Sequence, residues 1–389
     1  MKKICLLLLL IGCIALCSFT INALSQSGLP TSPSPSVLPD RHKTLKTLIT
    51  ANDYFIKKYA DYTLPSYHGR LRPSNIWTRA VYYEGLMALY SIYPRSDYYD
   101  YAYNWGSFHK WGFRDGNTTR NADNQCCAQV YIDLYRLCHD PEILKNVHAN
   151  TAMVVNTPQN DDWTWIDAIQ MAMPVYAKMG NLTGEQKYFD KMWDMYHHVR
   201  NIEGGSGLYN PANGLWWRDK DFVPPYKEPN GENCYWSRGN GWVYAAYVRI
   251  LNEIPGNEIR RNDYIADFLA MSKALIKCQR EDGFWNVSLH DPSNFGGKET
   301  TGTSLFVYGM AWGINRGILD RDTYLPVIVK AWNAMCNDAV HSTGFLGYVQ
   351  GTGKEPKSSQ PVTYDKEPDF EDYGLGCFLL AGTEIYKLK

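Results

Sequence analysis

The sequence has no surplus of charge of either sign: 39 Lys and Arg stand against 40 Asp and Glu, a formal net charge of −1 over 389 residues. That balance leaves no electrostatic footprint for a nucleic-acid partner. Nor does the chain hold a P-loop, a G-x-S-x-G elbow, an H-E-x-x-H helix or a dinucleotide fingerprint, which removes the usual signatures of nucleotide, serine-hydrolase, zincin and nicotinamide chemistry. Paired cysteines are missing too. Of ten cysteines, Cys5, Cys13 and Cys17 lie in the first 23 residues, and the remaining seven are scattered without zinc-type spacing. One disulfide is possible among them, with no pairing indicated. His197 and His198 are adjacent and so point to different helix faces, which makes them poor joint metal ligands. No metal and no cofactor is implied. Strand-like runs are few, which argues against a parallel α/β fold.

The one long apolar run, Ile4 to Ala15, is too short for a comfortable membrane span and follows Lys2 and Lys3. This reads as a signal peptide over 1–23, cleaved after Ala23. Leu10-Ile11-Gly12-Cys13 also resembles a lipoprotein box, with Cys13 unusually close to the start. The expectation is an exported protein, periplasmic or a cell-surface lipoprotein if bacterial, with a lipid anchor and free secretion both open. Loss of Lys2 and Lys3 takes the net charge from −1 to −3. Residues 24–41 are Ser/Pro-rich and read as a flexible tether, and 42–389 as one catalytic domain without a transmembrane helix.

What is abundant is helical periodicity and aromatic side chains. Apolar spacing predicts twelve helices, at about 43–59, 77–92, 97–110, 122–138, 141–154, 162–179, 185–200, 236–253, 262–278, 301–319, 323–337 and 371–387. Connections are short except at 201–235 and 279–300. Successive antiparallel pairs of this kind fit an all-α (α/α)6 toroid with the even helices inside; a superhelical stack of helix pairs is the competitor. Aromatics make up 14%, including 13 Trp and 29 Tyr. They suit sugar faces, and equally suit a large helical core.

The helix starts separate the two architectures. Odd helices open blandly, as in Pro141-Glu142-Ile143. Even helices open on dense polar and aromatic clusters: Ile76-Trp77-Thr78-Arg79, Asn121-Ala122-Asp123-Asn124-Gln125, Trp163-Thr164-Trp165-Ile166-Asp167, Trp236-Ser237-Arg238-Gly239-Asn240-Gly241-Trp242, Thr300-Thr301-Gly302-Thr303 and Asp369-Phe370-Glu371-Asp372-Tyr373. The inner helices of a toroid run the same way, so their N-termini gather at one mouth. Their unpaired N–H groups and partial positive charge suit an anionic ligand there.

Asp123 has an ordinary explanation as a cap or first-turn acid. Asp167 is harder to explain away. It falls a turn inside its expected helix, with Trp163 at i−4 and Met171 at i+4, where a carboxylate is costly unless paired or used. Pro174 in the same helix removes an N–H and frees a carbonyl near the preceding turn. Arg238 has an ion-pair explanation, yet its neighbours Gly239, Asn240 and Gly241 are poor helix formers and point to a close backbone approach. Acid/base chemistry by carboxylates is the leading option.

At these residues the sequence resembles the unsaturated glucuronyl and rhamnogalacturonyl hydrolases of glycoside hydrolase families 88 and 105, with family 105 the closer. The likeness runs from about residue 42 to the C-terminus. It is carried by Trp165-Ile166-Asp167-Ala168-Ile169-Gln170-Met171-Ala172-Met173-Pro174, by Trp236 to Trp242 and by Thr301-Gly302-Thr303-Ser304-Leu305-Phe306. The resemblance implies an (α/α)6 barrel acting on lyase-generated oligosaccharides that end in a 4,5-unsaturated uronic acid. It implies that an aspartate protonates C4 and assists water addition at C5, giving a hemiketal that opens and expels the remaining sugar. Asp167 matches the catalytic aspartate and Asp123 the second aspartate, which binds ring hydroxyls and helps raise the first one's pKa. Arg238 and Trp242 match the motif lining the pocket. Arg238 is assigned to polar contact with the sugar or its carboxylate, Trp236, Trp165 or Trp242 to stacking, and Asn240 and Thr303 to the substrate-binding set. One departure stands out: many members place a histidine in the segment corresponding to Gly207-Leu208-Tyr209-Asn210, where this chain has Asn210. The adjacent aromatic and basic stretch, Pro211 to Arg218, is expected to shape subsites beyond the unsaturated sugar.

Two other readings remain. Another carbohydrate-active toroid such as a lyase requires a Tyr or His base near an Arg, and the motifs single out no such pair. A non-catalytic glycan-binding lipoprotein explains leader and aromatics but not a carboxylate inside an inner helix.

Overall fold

Asp40 accepts a hydrogen bond from the Lys43 N–H and opens α1 (Arg41–Lys58), whose last turn carries Lys57 and Lys58. An acceptor at the start and cations at the end complement the helix dipole at both termini. The computed structural model describes residues 37–389 except Gly69. The expected signal peptide, 1–23, and the tether up to residue 36 lie outside the described residues.

The helices that follow are α2 (Trp77–Ile92), α3 (Ser96–Phe108), α4 (Ala122–Gln125), α5 (Cys127–Cys138), α6 (Glu142–Val155), α7 (Asp167–Thr183), α8 (Gln186–Asn201), α9 (Ser237–Leu251), α10 (Arg261–Leu275), α11 (Thr300–Asn315), α12 (Arg321–Ala334) and α13 (Asp372–Lys387). Two short antiparallel hairpins interrupt them, β1 (Ser66–His68) with β2 (Arg70–Arg72) and β3 (Tyr209–Asn210) with β4 (Leu215–Trp216). Thirteen α-helices among the described residues replace the expected twelve because 122–138 breaks at Cys126, leaving α4 as a single turn.

Burial sorts the helices into two layers. In α11 every residue from Thr300 to Ile314 is buried, and in α13 every residue from Asp372 to Ile385. By contrast α1 buries one stripe, Thr44, Leu48, Ala51, Asn52 and Phe55. An all-round apolar helix belongs inside a layer of others, and a striped one at its surface. The inner helices pack in sequence, α2 on α5, α4 on α7, α7 on α9, α9 on α11 and α11 on α13, and α13 closes back on α2. The closure rules out an open stack and gives an (α/α)6 barrel. It depends on two glycines: a Cβ on Gly85 of α2 would lie 2.4 Å from the Gly376 carbonyl oxygen, and one on Gly376 would lie 2.2 Å from that of Val81. Here the helices meet backbone to backbone.

Three expectations are corrected. The helix expected at 162–179 begins only at Asp167, because the lead-in is extended: Trp165 bridges Asp219 and the Ile166 N–H donates to the Arg218 carbonyl at 3.0 Å. Trp163 is therefore not one turn back along a helix from Asp167. The long connections are not two but three, since 340–371 is also long and irregular. Side chains hold it: Gln350 Nε2 donates to the carbonyls of Glu355, Pro356 and Ser358. Finally, all seven described cysteines are free thiols, so no disulfide forms among them.

Candidate active site

The N-termini of the inner helices open on a cavity of about 230 Å³. Asp123 comes to it from α4, where Asn121 does the capping by accepting from the Asn124 N–H. That leaves the Asp123 carboxylate facing the cavity. Asp167 arrives as the first residue of α7 and is 8% exposed. Trp77, Trp165, Met171, Phe370, Arg72, Arg218, Thr352 and Gly353 complete the wall with Ile76.

The proline of α7 has a visible consequence. Pro174 has no N–H for the Gln170 carbonyl, and Gln129 Nε2 of α5 supplies the missing donor at 2.8 Å. Gln129 Oε1 in turn accepts from Arg249 Nε at 2.6 Å, Arg249 Nη1 lies 3.5 Å from Glu84 Oε2, and Gln170 Nε2 donates to that same oxygen at 2.9 Å. A closed polar ring thus ties α2, α5, α7 and α9 together one turn beneath Asp167.

Electrostatics set the two carboxylates apart from ordinary acids. Burial, then the neighbouring charge of Asp167, pushes Asp123 up to about 7, against the pull of Arg218, Arg114 and Arg72. Burial also raises Asp167, opposed chiefly by Arg218 and Arg238. Arg218 Nε stands 3.3 Å from Asp167 Oδ2, yet neither atom has a hydrogen-bond partner among the described residues. The guanidinium is anchored instead through Nη1 to Asp219 Oδ2 at 2.6 Å. An arginine beside the carboxylate but not bonded to it can be claimed by another anion.

Of the site residues named from the sequence, Asp123, Asp167 and Trp165 line the cavity. The others stand behind its wall. Arg238 is 1% exposed, packs against Trp236 and Tyr373, and donates to the carbonyls of Gln350 at 2.5 Å and Gly351 at 2.9 Å. It fastens the connection whose next residues, Thr352 and Gly353, rim the cavity. Trp236 Nε1 donates to Gln350 Oε1 at 2.9 Å. Trp242 is fully buried and meets the cavity residue Trp77 edge-on at 6.1 Å. Asn240 grips the backbone N–H and carbonyl of Trp216, and Thr303 donates to the Glu299 carbonyl while accepting from the Trp285 N–H. The expected close approach at Gly239 and Gly241 is to neighbouring side chains: a Cβ at Gly241 would lie 2.8 Å from Leu305, and one at Gly239 2.8 Å from the Trp236 ring. Asn210 bonds Asn213 and Tyr235 and does not line the cavity.

Arg218, Arg72, Thr352 and Gly353 were not singled out as site residues from the sequence. Arg218 had a signal, a lone cation ending an aromatic stretch, but it pointed to outlying subsites. Thr352 and Gly353 had none, because their position depends on side chains far away in sequence.

The sequence profile of Glycosyl Hydrolase Family 88 matches residues 48–389. The chain belongs to that family. An unsaturated 3S-rhamnoglycuronyl hydrolase of Formosa agariphila is 35% identical over 232 residues, 58% of this chain and 58% of that protein, so the family 88 chain matches little more than half the length of this curated relative. The solved glycosyl hydrolase family 88 structure from Bacteroides vulgatus superposes with a TM-score of 0.81 at 31% identity, covering 90% of this chain and 100% of the other. A structure named as a polysaccharide lyase superposes with a TM-score of 0.80 at 30% identity, covering 89% and 97%.

Proposed function

We propose that this family 88 protein is a glycosidase that releases a 4,5-unsaturated uronic acid from the non-reducing end of lyase-generated oligosaccharides, by hydrating the C4=C5 bond. The observation that carries the reading is the pair of carboxyls with raised pKa values beside an arginine that one of them does not fully hold.

In the free protein Arg218 favours ionised Asp167. A bound uronate would bring its own carboxylate to Arg218, relieve Asp167 of that cation and favour its protonated form. Asp167 then delivers its proton to C4. The resulting carboxylate takes a proton from water as the water oxygen bonds to C5, and the hemiketal opens with loss of the sugar at C1. One carboxyl thus serves first as acid and then as base, a role worth roughly 10²–10⁴-fold. Asp123 hydrogen-bonds a ring hydroxyl, while Trp165 and Trp77 offer faces for the sugar. Arg238, Trp236, Trp242, Asn240 and Thr303 support this wall from behind. The leader-like segment Lys2 to Ala23 supports action outside the cytoplasm.

The similarity to a structure named as a polysaccharide lyase makes elimination the second reading. Elimination needs a base for the C5 proton, and among the described residues no tyrosine, histidine or lysine lines the cavity. Lyase-generated unsaturated disaccharides followed at the enol-ether absorbance band separate the two. Loss of absorbance is the expected result; a gain on intact polysaccharide identifies a lyase; no change on either leaves a binding protein.

A further inference from the structure

Asp219 lies in the connection between α8 and α9, directly after Arg218, and is 7% exposed. It pairs with Trp165 in an isolated β-bridge, and the Arg218 carbonyl accepts from the Ile166 N–H at 3.0 Å. The extended lead-in to α7 thereby fixes the backbone of Arg218 and Asp219 to the residues just before Asp167. Both oxygens of the Asp219 carboxylate are in use. Oδ2 accepts from Arg218 Nη1 at 2.6 Å, and Oδ1 accepts from the Asp221 N–H at 2.9 Å. The second bond closes a turn, which the Phe222 N–H completes by donating to the Asp219 carbonyl at 3.0 Å.

A buried carboxylate with one oxygen on its own turn and the other on a guanidinium is a rigid mount. The five donors of an arginine lie in one plane, so the bond to Nη1 also sets the direction of Nε. Nε stands 3.3 Å from Asp167 Oδ2, and no hydrogen bond crosses that gap. Released from the mount, the guanidinium could turn and close the gap as a charge-assisted pair, the geometry that arginine and carboxylate ordinarily favour. The other charged groups around Asp167 come from separate elements. Asp123 reaches the cavity from α4 and Arg72 from β2. Arg238 stands behind the wall on α9, tied to the carbonyls of Gln350 and Gly351. Burial raises Asp167, Arg218 and Arg238 oppose the rise, and the charge of Asp219 adds to it.

We propose that Asp219 is a positioning residue for the acid: it holds the Arg218 guanidinium turned away from Asp167 and presents it to the carboxylate of the bound sugar. The proposal rests on the reading of Asp167 as proton donor and of Arg218 as the group that meets the uronate. Asp219 is not among the described residues that line the cavity, so it acts through Arg218. In the free enzyme, loss of the mount lets Arg218 pair with Asp167 and keeps that carboxyl ionised. Once the sugar binds, its uronate competes for Arg218 and part of the loss is recovered. The damage therefore falls more on kcat/KM, which reports the acid in the free enzyme, than on kcat, which reports it in the complex.

The test follows the full chain on an unsaturated disaccharide across pH, with Asp219→Asn as the probe. The amide can accept at only one of the two places. The N–H of the turn is fixed and the guanidinium is not, so the turn keeps the oxygen and Arg218 is released. Where the acid loses its proton, the high-pH limb of kcat/KM should move down by about one pH unit, a tenfold fall above it, and the limb of kcat by less. Arg218→Gln removes the group through which Asp219 acts, so in that background Asp219→Asn should add little further shift. Lys354→Ala frees the far side of the same turn, where Asp221 accepts from Lys354 at 2.9 Å, and should leave the limb in place. Should Asp219→Asn not fold, Asp219→Glu, with the mount one methylene longer, carries the same test with a smaller shift. A limb that stays put, or that Asp219→Asn moves as far with Arg218→Gln as without it, overturns the positioning role and leaves Asp167 as the acid. An equal shift in Lys354→Ala assigns the effect to a loosened turn and overturns it too. No turnover by the wild type overturns the hydration reading, and the role of Asp219 with it.

Discussion

The barrel has two mouths, and the far one holds a larger cavity than the one lined by Asp123 and Asp167. At the C-terminal ends of the inner helices lies a cavity of about 480 Å³, lined by Glu84, Asp133, Lys178, Arg249, Glu253, Glu384 and Lys387 among others. It is about twice the size of the cavity lined by Asp123 and Asp167, and richer in charge. Yet its charges are spoken for: Lys178 bonds Asp133, Lys387 bonds Glu384 at 2.7 Å, and Arg136 grips Glu253 with two bonds of 2.7 Å. Burial alone would raise Glu253, but Arg136, Lys178 and Asn181 bring it down to about 2. At the N-terminal mouth the same kind of burial leaves Asp123 at about 7 and Asp167 raised. Glu84, deep between the two, is also raised by burial against the pull of Arg249, and Gln170 and Cys126 hydrogen-bond it. The far end pairs its carboxylates with cations. The near end keeps its carboxylates underpaired, which is what proton transfer requires.

The sharpest break of this contrast is Asp167→Asn. Turnover should fall by roughly 10²–10⁴-fold while the disaccharide still binds, read from the enol-ether absorbance and from calorimetry. Near-wild-type turnover would remove Asp167 from the acid/base role. Asp123→Asn should cost about 10²-fold and leave a second trace in stability. A carboxyl raised above its unfolded value of about 3.9 stabilises the fold fully below that pH, and the contribution is lost as pH rises through about 7. The variant should therefore melt higher than the wild type at pH 8 and no higher at pH 4. Equal melting differences at both would mean that Asp123 is not held protonated by its surroundings.

A smaller effect is expected from the ring beneath the site. Gln129→Glu keeps an acceptor for Arg249 but removes the N–H that serves the Gln170 carbonyl. Leaving that carbonyl unserved costs about 1–3 kcal/mol, and release of the first turn of α7 should lower kcat roughly tenfold with KM nearly unchanged. Adding Pro174→Ala restores a backbone N–H, so the melting temperature should recover. The kcat should not, because the Gln129 bond that ties the first turn of α7 to α5 is still missing. Unchanged kcat in Gln129→Glu alone would make the ring purely structural.

That ring also marks where sequence reading stops. Helical period gave the layers, and the polar clusters at alternate helix starts gave the mouth, because both are local properties of the chain. Pro174 revealed that a carbonyl would be freed. It could not say that Gln129, some 40 residues earlier, would answer it. Arg238 was placed in the pocket by its motif, whereas the folded chain turns it onto the carbonyls of Gln350 and Gly351, more than a hundred residues on. The start of α7 was set too early for the same reason, since the strand-like pairing of Trp165 with Asp219 is invisible to a helical period. What was hidden depends on long-range hydrogen bonds to irregular backbone, which leave no spacing to read.

The least effect on activity and a clear effect on stability should come from the far mouth. Glu253→Gln keeps an acceptor for one Arg136 bond and puts an amide N–H where the other was accepted, and the loss should be about 1–3 kcal/mol at pH 7. Turnover at 25 °C should stay within twofold, because nothing at that mouth touches the reacting sugar. The pH dependence has a definite sign. A carboxylate depressed to about 2 contributes stability that is present above the unfolded value of about 4.3 and is lost as pH falls through about 2. The wild type should lose stability steeply over that window and the variant less steeply, so the two melting curves converge in acid. If Glu253→Gln lowered turnover as strongly as Asp123→Asn while melting like the wild type, the pairing of charges would not separate the two mouths, and the larger cavity would have to be counted as part of the catalytic machinery.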